Sequence, residues 1–167
     1  MNNIVLIGMP GSGKSTVGVV LAKKLGYSFM DSDIVIQEKY KKTLEQIIDE
    51  KGDAGFIKVE NDVNKSINAY HCVIATGGSA VYGQEAMEHF KKDSLIVYLE
   101  ISEKELEGRV GSLKERGVIS NGKETIEEIF NDRKNLYKKY ADIVINQDGK
   151  SLRESVEEAY NIIKDHI

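Results

Sequence analysis

Residues 8–15 of this 167-residue chain read Gly8-Met9-Pro10-Gly11-Ser12-Gly13-Lys14-Ser15 and satisfy G-x-x-x-x-G-K-[ST] at every fixed position. The pattern narrows the fold because it works only between a strand and a helix. The apolar run Ile4–Ile7 precedes it. Behind it, Val17, Val20, Leu21 and Leu25 are placed on one helical face, and Gly26 supplies the stop. The glycines let the backbone curl until successive N–H groups point at phosphate oxygens. The helix aims its positive dipole end at the same spot. Gly11, Ser12, Gly13, Lys14, Ser15 and Thr16 are therefore the predicted nucleotide-binding residues. Lys14 is the compact cation for the outer phosphates, and the Ser15 hydroxyl is placed to ligate Mg2+. Pro10 is the chain's one proline. It has no N–H to donate, so it stiffens the loop without cradling phosphate.

The rest of the chain alternates short apolar runs with longer amphipathic ones, the pattern of an α/β domain with a parallel sheet. Strands are predicted at Ile4–Ile7, Tyr27–Met30, Cys72–Ala75, Leu95–Leu99 and Ile143–Ile145. Their continuous apolar character suits strands buried on both faces. Thr43 with Gln46, Ser102 with Glu105, Thr125 with Glu128 and Ser151 with Glu154 have capping-box spacing and mark helix starts. After Ser151, Leu152, Val156, Ala159, Tyr160 and Ile163 form one apolar face. The segment Arg109–Lys123 is rich in glycine and basic residues and has little periodicity. It reads as a mobile lid at about 110–123 on a single domain spanning 1–167.

Composition adds exclusions. With 27 acidic and 23 basic residues the net charge is −4, which does not suit a dedicated nucleic-acid binder. An anionic ligand in a small pocket remains compatible with it. One cysteine, Cys72, excludes an internal disulfide and a cysteine-rich zinc site. No apolar run reaches the roughly 18 residues of a membrane span. The first residues resemble no signal peptide, so the expected compartment is a reducing cytoplasm.

A phosphate loop does not name a reaction, and a second constellation does more. Asp31-Ser32-Asp33 follows the second strand. Carboxylates at the carboxyl end of a parallel strand lie where doubly wound folds bind ligands. One can hold Mg2+ through water, and the other can accept a substrate hydroxyl and its proton. Asp33 could equally cap the helix that follows. Thr76-Gly77-Gly78-Ser79 after the third strand allows backbone to approach a ligand closely. Arg109, Arg116 and Arg133 are candidates to close over a transferring phosphoryl group.

In order and spacing these segments resemble the shikimate kinase family over nearly the whole chain. The resemblance implies a P-loop three-layer sandwich with a five-stranded parallel sheet, a substrate-binding region at about 31–60 and a flexible lid. It implies transfer of the terminal phosphoryl of ATP to the 3-hydroxyl of shikimate with Mg2+, by a cytoplasmic monomer with no nucleic-acid or membrane partner. It also implies roles for individual residues. Lys14, Asp33 and Arg116 are catalytic, with Asp31 and Ser15 near Mg2+. Arg109 and Asn146 contact adenine. Asp33, Gly77, Gly78, Ser79 and Arg133 contact the acceptor, Arg133 through its carboxylate. Phe56 and Glu60 match the segment flanking that pocket.

The chain departs from the family on the acceptor side. Ile57 stands where the family has an arginine that binds the acceptor's carboxylate. Lys58 is one residue on, about 100° around a helix, and points elsewhere. Ser79 replaces a third glycine, and Arg116-Gly117-Val118 replaces Arg-Pro-Leu in the lid. Three alternatives therefore stay open: a related kinase for another hydroxyl compound, a nucleoside monophosphate kinase, and a non-catalytic nucleotide switch. The absence of arginine from Asp33–Glu60 counts against the second. Asp33 and Arg116 count against the third.

Overall fold

The computed structural model describes residues 2–109 and 125–167. Five parallel strands form one sheet: β1 (Asn3–Ile7), β2 (Ser28–Asp31), β3 (Cys72–Ala75), β4 (Ser94–Glu100) and β5 (Ile143–Asn146), in the order β2-β3-β1-β4-β5. β1 sits at the centre, with Val5 opposite Ile74 on one side and Ile96 on the other. Central placement explains its unbroken apolar sequence, because Ile4, Val5, Leu6 and Ile7 are all fully buried. Each such side chain contributes about 1.5–3 kcal/mol by leaving water.

Helices cover both faces. On one side lie α1 (Lys14–Leu25) and α7 (Leu152–Ile163), whose Val17, Leu21, Val156, Ala159 and Ile163 pack on Ile4, Leu6, Val73 and Val97. On the other lie α4 (Gln84–Lys91) and α6 (Ile126–Tyr140), with Met87, Phe90, Ile129 and Tyr137 against Val5, Ile7, Ile74 and Tyr98. A third cluster joins α2 (Ser32–Tyr40) to α3 (Leu44–Ser66) through Ile36, Ile47, Phe56 and Val59. The short α5 (Glu103–Glu107) precedes residues 110–124. This is the expected three-layer sandwich. The predicted lid and Arg116 lie outside the described residues.

Two predicted faces are off by one position. Val20 is 38% exposed and Leu152 45% exposed, so neither joins the core. In α1 the buried row is Lys14, Val17, Gly18, Leu21 and Ala22. Gly18 belongs to it because a Cβ there would lie 2.8 Å from the Phe29 ring. α1 thus sits too close to the sheet at that point for any side chain. α3 is also not one straight helix. Gly52, at φ 72°, breaks it into two segments, and the second carries Phe56 and Glu60.

The four capping sites divide evenly. Thr43/Gln46 and Ser151/Glu154 form both reciprocal bonds. At Ser102 and Thr125 the side chain accepts from the N–H three residues on. Glu105 is instead drawn away, accepting from the Gly149 N–H and pairing with Arg109 at 2.9 Å.

Candidate active site

The carboxyl ends of β1, β2 and β3 open into a cleft of about 400 Å3. Its lining joins Gly11, Gly13, Lys14, Ser15 and Thr16 to Asp33, Glu60, Gly77, Gly78, Ser79, Arg109 and Arg133. Segments as distant in sequence as Gly11 and Arg133 meet there, because the central β1 feeds the loop, its neighbour β3 delivers the glycines and α6 brings in the arginine.

Lys14 is buried, and its Nζ donates to the carbonyls of Gly8 and Met9, each at 2.8 Å. Burial pulls its pKa down to about 8, and Arg133 acts in the same direction. Asp33, Asp31 and Glu60 act against them. The ammonium is therefore held on its own loop, where arriving phosphate oxygens can replace the two carbonyls. Gly13 at φ 91° and Gly11 at φ 81° adopt the left-handed backbone that the loop requires.

The two aspartates separate cleanly. Asp31, not Asp33, caps α2, because its Oδ1 accepts from the Asp33 N–H at 2.9 Å. The other oxygen of Asp31 accepts from the Ser15 hydroxyl at 2.7 Å. Ser15 and Asp31 thus form a pair of hard oxygen ligands beside the phosphate loop. Such a pair suits Mg2+, which is commonly held by one or two protein oxygens with the rest from phosphate and water. The described residues contain no group of three or more His, Cys, Asp or Glu that could hold a metal alone.

Asp33 lies in the first turn of α2 with its carboxylate in the cleft. Burial, followed by the neighbouring charge of Asp31, raises its pKa to about 6, and Lys14 opposes them. A carboxylate so placed is ionised near neutrality and basic enough to take a hydroxyl proton.

Gly77 and Gly78 keep the cleft open. A Cβ on Gly77 would lie 2.7 Å from Asp33 Oδ1 and 2.8 Å from Glu60 Oε2. A Cβ on Gly78 would lie 2.7 Å from Pro10 Cδ and 3.0 Å from Arg133 Nη1. Pro10 therefore also forms a wall against Gly78. Arg133 is 1% exposed, with its guanidinium 5.4 Å from the centre of the Tyr82 ring. Burial works against its charge, but Tyr137 and Tyr82 more than restore it. Tyr137 also donates to the Gly78 carbonyl at 2.6 Å, tying α6 to the glycine loop.

The departures have definite places. Ile57 does not line the cleft. It packs against the α2–α3 cluster and, with Lys58, faces a separate shallow groove beside Tyr82 and Gly83. Lys58 lies outside the cleft as expected, but in company with Ile57 on the same groove, so the offset along the helix does not separate the two. Ser79 does reach the cleft, and its hydroxyl donates to Glu60 Oε1 at 2.6 Å. Asn146 does not line it. It ends β5 and accepts from the Asp148 N–H at 2.9 Å.

Glu60 has a larger place in the site than its sequence neighbourhood suggests. It is 2% exposed, and burial, then Asp33, pushes its pKa up to about 8. The signal was present in sequence as an acidic residue within an apolar helical face, four residues after Phe56.

Comparisons with known proteins place the whole chain in one family. The family model described as Shikimate kinase matches residues 10–164. A curated shikimate kinase from a Sulfurihydrogenibium species is 36% identical over 165 residues, covering 98% of this chain and 99% of that protein. The crystal structure of shikimate kinase from Aquifex aeolicus superposes with a TM-score of 0.84 at 32% identity, covering 98% and 97% of the two chains. Shikimate kinase from Acinetobacter baumannii in complex with shikimate gives a TM-score of 0.83 at 27% identity over 99% and 94%. Matches of this extent leave no segment of the fold unaccounted for, and the phosphate loop, the glycine turn and the buried arginine all fall within them: the chain belongs to the shikimate kinase family.

Proposed function

We propose that this chain transfers the terminal phosphoryl group of ATP to the 3-hydroxyl of shikimate. The observation that carries the reading is the convergence of Lys14, Asp33 and Arg133 on one cleft from the phosphate loop, α2 and α6. Nucleotide phosphates displace the Gly8 and Met9 carbonyls from Lys14 and lie against the loop N–H groups and the start of α1. Thr16 follows Ser15 in that first turn. Arg133 binds the acceptor's carboxylate, while Gly77 and Gly78 let its ring approach Asp33. The acceptor hydroxyl oxygen then attacks the terminal phosphorus, the bond to the bridging oxygen of ADP breaks, and the proton passes to Asp33. Lys14 stabilises the charge that develops on the transferred group.

Ser15 and Asp31 would hold Mg2+, which when bound neutralises phosphate charge. Arg109 lines the nucleotide end of the cleft and is assigned to adenine with Asn146. Arg116 is assigned to the phosphoryl group on closure. The protein works as a cytoplasmic monomer on a small molecule. No helix among the described residues is long and apolar enough to cross a membrane.

The test is ADP release with Mg-ATP against shikimate, quinate, small sugar acids, homoserine and nucleoside monophosphates. Saturable turnover with shikimate is the expected result. Turnover only with a monophosphate, or with none of these acceptors despite ATP binding, overturns the assignment.

A further inference from the structure

The buried carboxyl of Glu60 poses a problem that the cleft solves in an unusual way. Its segment, Leu44–Ser66, contains no arginine, and its nearest lysine in sequence, Lys58, faces the shallow groove outside. Oε1 accepts from Ser79 Oγ at 2.6 Å. Oε2 is fully buried and finds no hydrogen-bond partner among the described residues. That orphan oxygen lies against the Gly77 turn, which lines the cleft. It and Asp33 Oδ1 both lie within 3 Å of the point where a Gly77 Cβ would stand. The two oxygens are therefore no further apart than the sum of those two distances.

A buried carboxyl with one free oxygen costs stability unless that oxygen meets a partner. A side chain with three rotatable bonds also presents that oxygen usefully only if something fixes it. Among the described residues, Ser79 is the one side chain whose hydrogen bond to Glu60 does so. We propose that Ser79 is a specificity-determining positioning residue, which holds Glu60 through Oε1 so that Oε2 stays presented beside Asp33 to a hydroxyl of the acceptor. Ser79 itself does not touch the acceptor. The inference rests on the kinase reading above, and it changes the part assigned to Ser79 from direct contact to action through Glu60.

The groups facing Glu60 from the surrounding elements are Asp33 on α2, Lys14 on α1, Arg133 and Tyr137 on α6, and Ser79 itself. Burial and Asp33 favour the neutral acid, while Ser79, Arg133 and Lys14 favour the carboxylate. Removal of the Ser79 hydroxyl therefore has two consequences that mere loss of packing does not. Glu60 should titrate at a higher pH, and the acceptor should bind less well with no change toward nucleotide.

The experiment uses the full-length enzyme and its Ser79→Ala and Ser79→Thr variants. Steady-state kinetics with shikimate and Mg-ATP give the first readout. The second is NMR titration of the Glu60 side-chain carboxyl in 13C-labelled protein, assigned with Glu60→Gln. Ser79→Ala should raise the KM for shikimate several-fold, up to about tenfold for one hydrogen bond. The KM for ATP should be unchanged, and the Glu60 titration should move upward. Ser79→Thr keeps the hydroxyl and should restore both. An unchanged shikimate KM and an unchanged titration in Ser79→Ala would overturn the proposal, as would a lowered melting temperature with neither shift. The titration is read without acceptor. Failure of the wild-type enzyme to use shikimate would thus sink the acceptor assignment, while an unmoved titration would sink the role of Ser79.

Discussion

Glu60→Gln should make the ligand-free protein more stable, and by an amount that depends on pH. The folded state moves this carboxyl from the model-peptide value of 4.5 to about 8. The sign follows from proton binding. Between those two values the folded chain holds a proton on Glu60 that the unfolded chain has lost. Stability therefore falls as pH rises through that window. At 1.36 kcal/mol per pKa unit, the cost to the folded state is roughly 3 kcal/mol at pH 7 and approaches a ceiling of about 5 kcal/mol above pH 8. Below pH 4.5 it vanishes. Glutamine keeps the shape, lets Oε1 still accept from Ser79, and puts an uncharged amide on the Asp33 side. It titrates nowhere in this range. Urea unfolding of both proteins at several pH values between 5 and 9 gives the difference directly, because effects shared by the two proteins cancel. The expected curve starts at no more than about 1 kcal/mol at pH 5, climbs through neutrality and levels off above pH 8. A difference that is flat with pH, or that shrinks as pH rises, would refute the claim that burial holds this carboxyl neutral.

Three further outcomes follow from the geometry. Lys14→Ala should cut kcat by at least about 10²–10³-fold, as for loss of a donor at developing charge, while a cooperative thermal transition persists; full retained activity would remove the phosphate-loop assignment. Gly77→Ala sets a methyl group against both Asp33 and Glu60 and should raise the shikimate KM strongly while leaving ATP binding, measured calorimetrically, near wild type. Tyr137→Phe deletes the 2.6 Å bond to the Gly78 carbonyl and should cost about 1 kcal/mol in urea unfolding. It should also raise the shikimate KM, because the glycine loop loses its tie to the helix that carries Arg133.

The sequence alone reaches the architecture because the inner strands β1, β3 and β4 are buried on both faces and read as plain apolar runs, while the edge strands β2 and β5 are only partly covered yet still apolar enough to find; no strand boundary is displaced by more than one residue. It goes astray where tertiary contact overrides periodicity. Gly18 looks like a weak point in a helix, yet the approach of Phe29 makes it the inward position and leaves Val20 outside. The same limit governs the site. Asp31 and Asp33 form a pair of carboxylates in sequence, and there it is Asp33 that reads as a possible cap of the helix. Only the backbone path decides that Asp31 takes the cap together with the Ser15 hydroxyl, which frees Asp33 for the cleft. Glu60 and Ser79 are nineteen residues apart and share no motif, so their bond cannot be read from spacing. This pair also alters what the departures mean. An isoleucine in place of an arginine suggests a cleft short of positive charge, and a serine in place of a glycine suggests an obstructed one. In the folded chain Ile57 faces a different groove, and the Ser79 hydroxyl turns onto a buried acid instead of into open space. That acid is kept largely neutral at pH 7 by its surroundings. The acceptor side thus carries one negative charge fewer than its composition implies. In the proposed reaction the acceptor's carboxylate is assigned to Arg133, without a second arginine from α3.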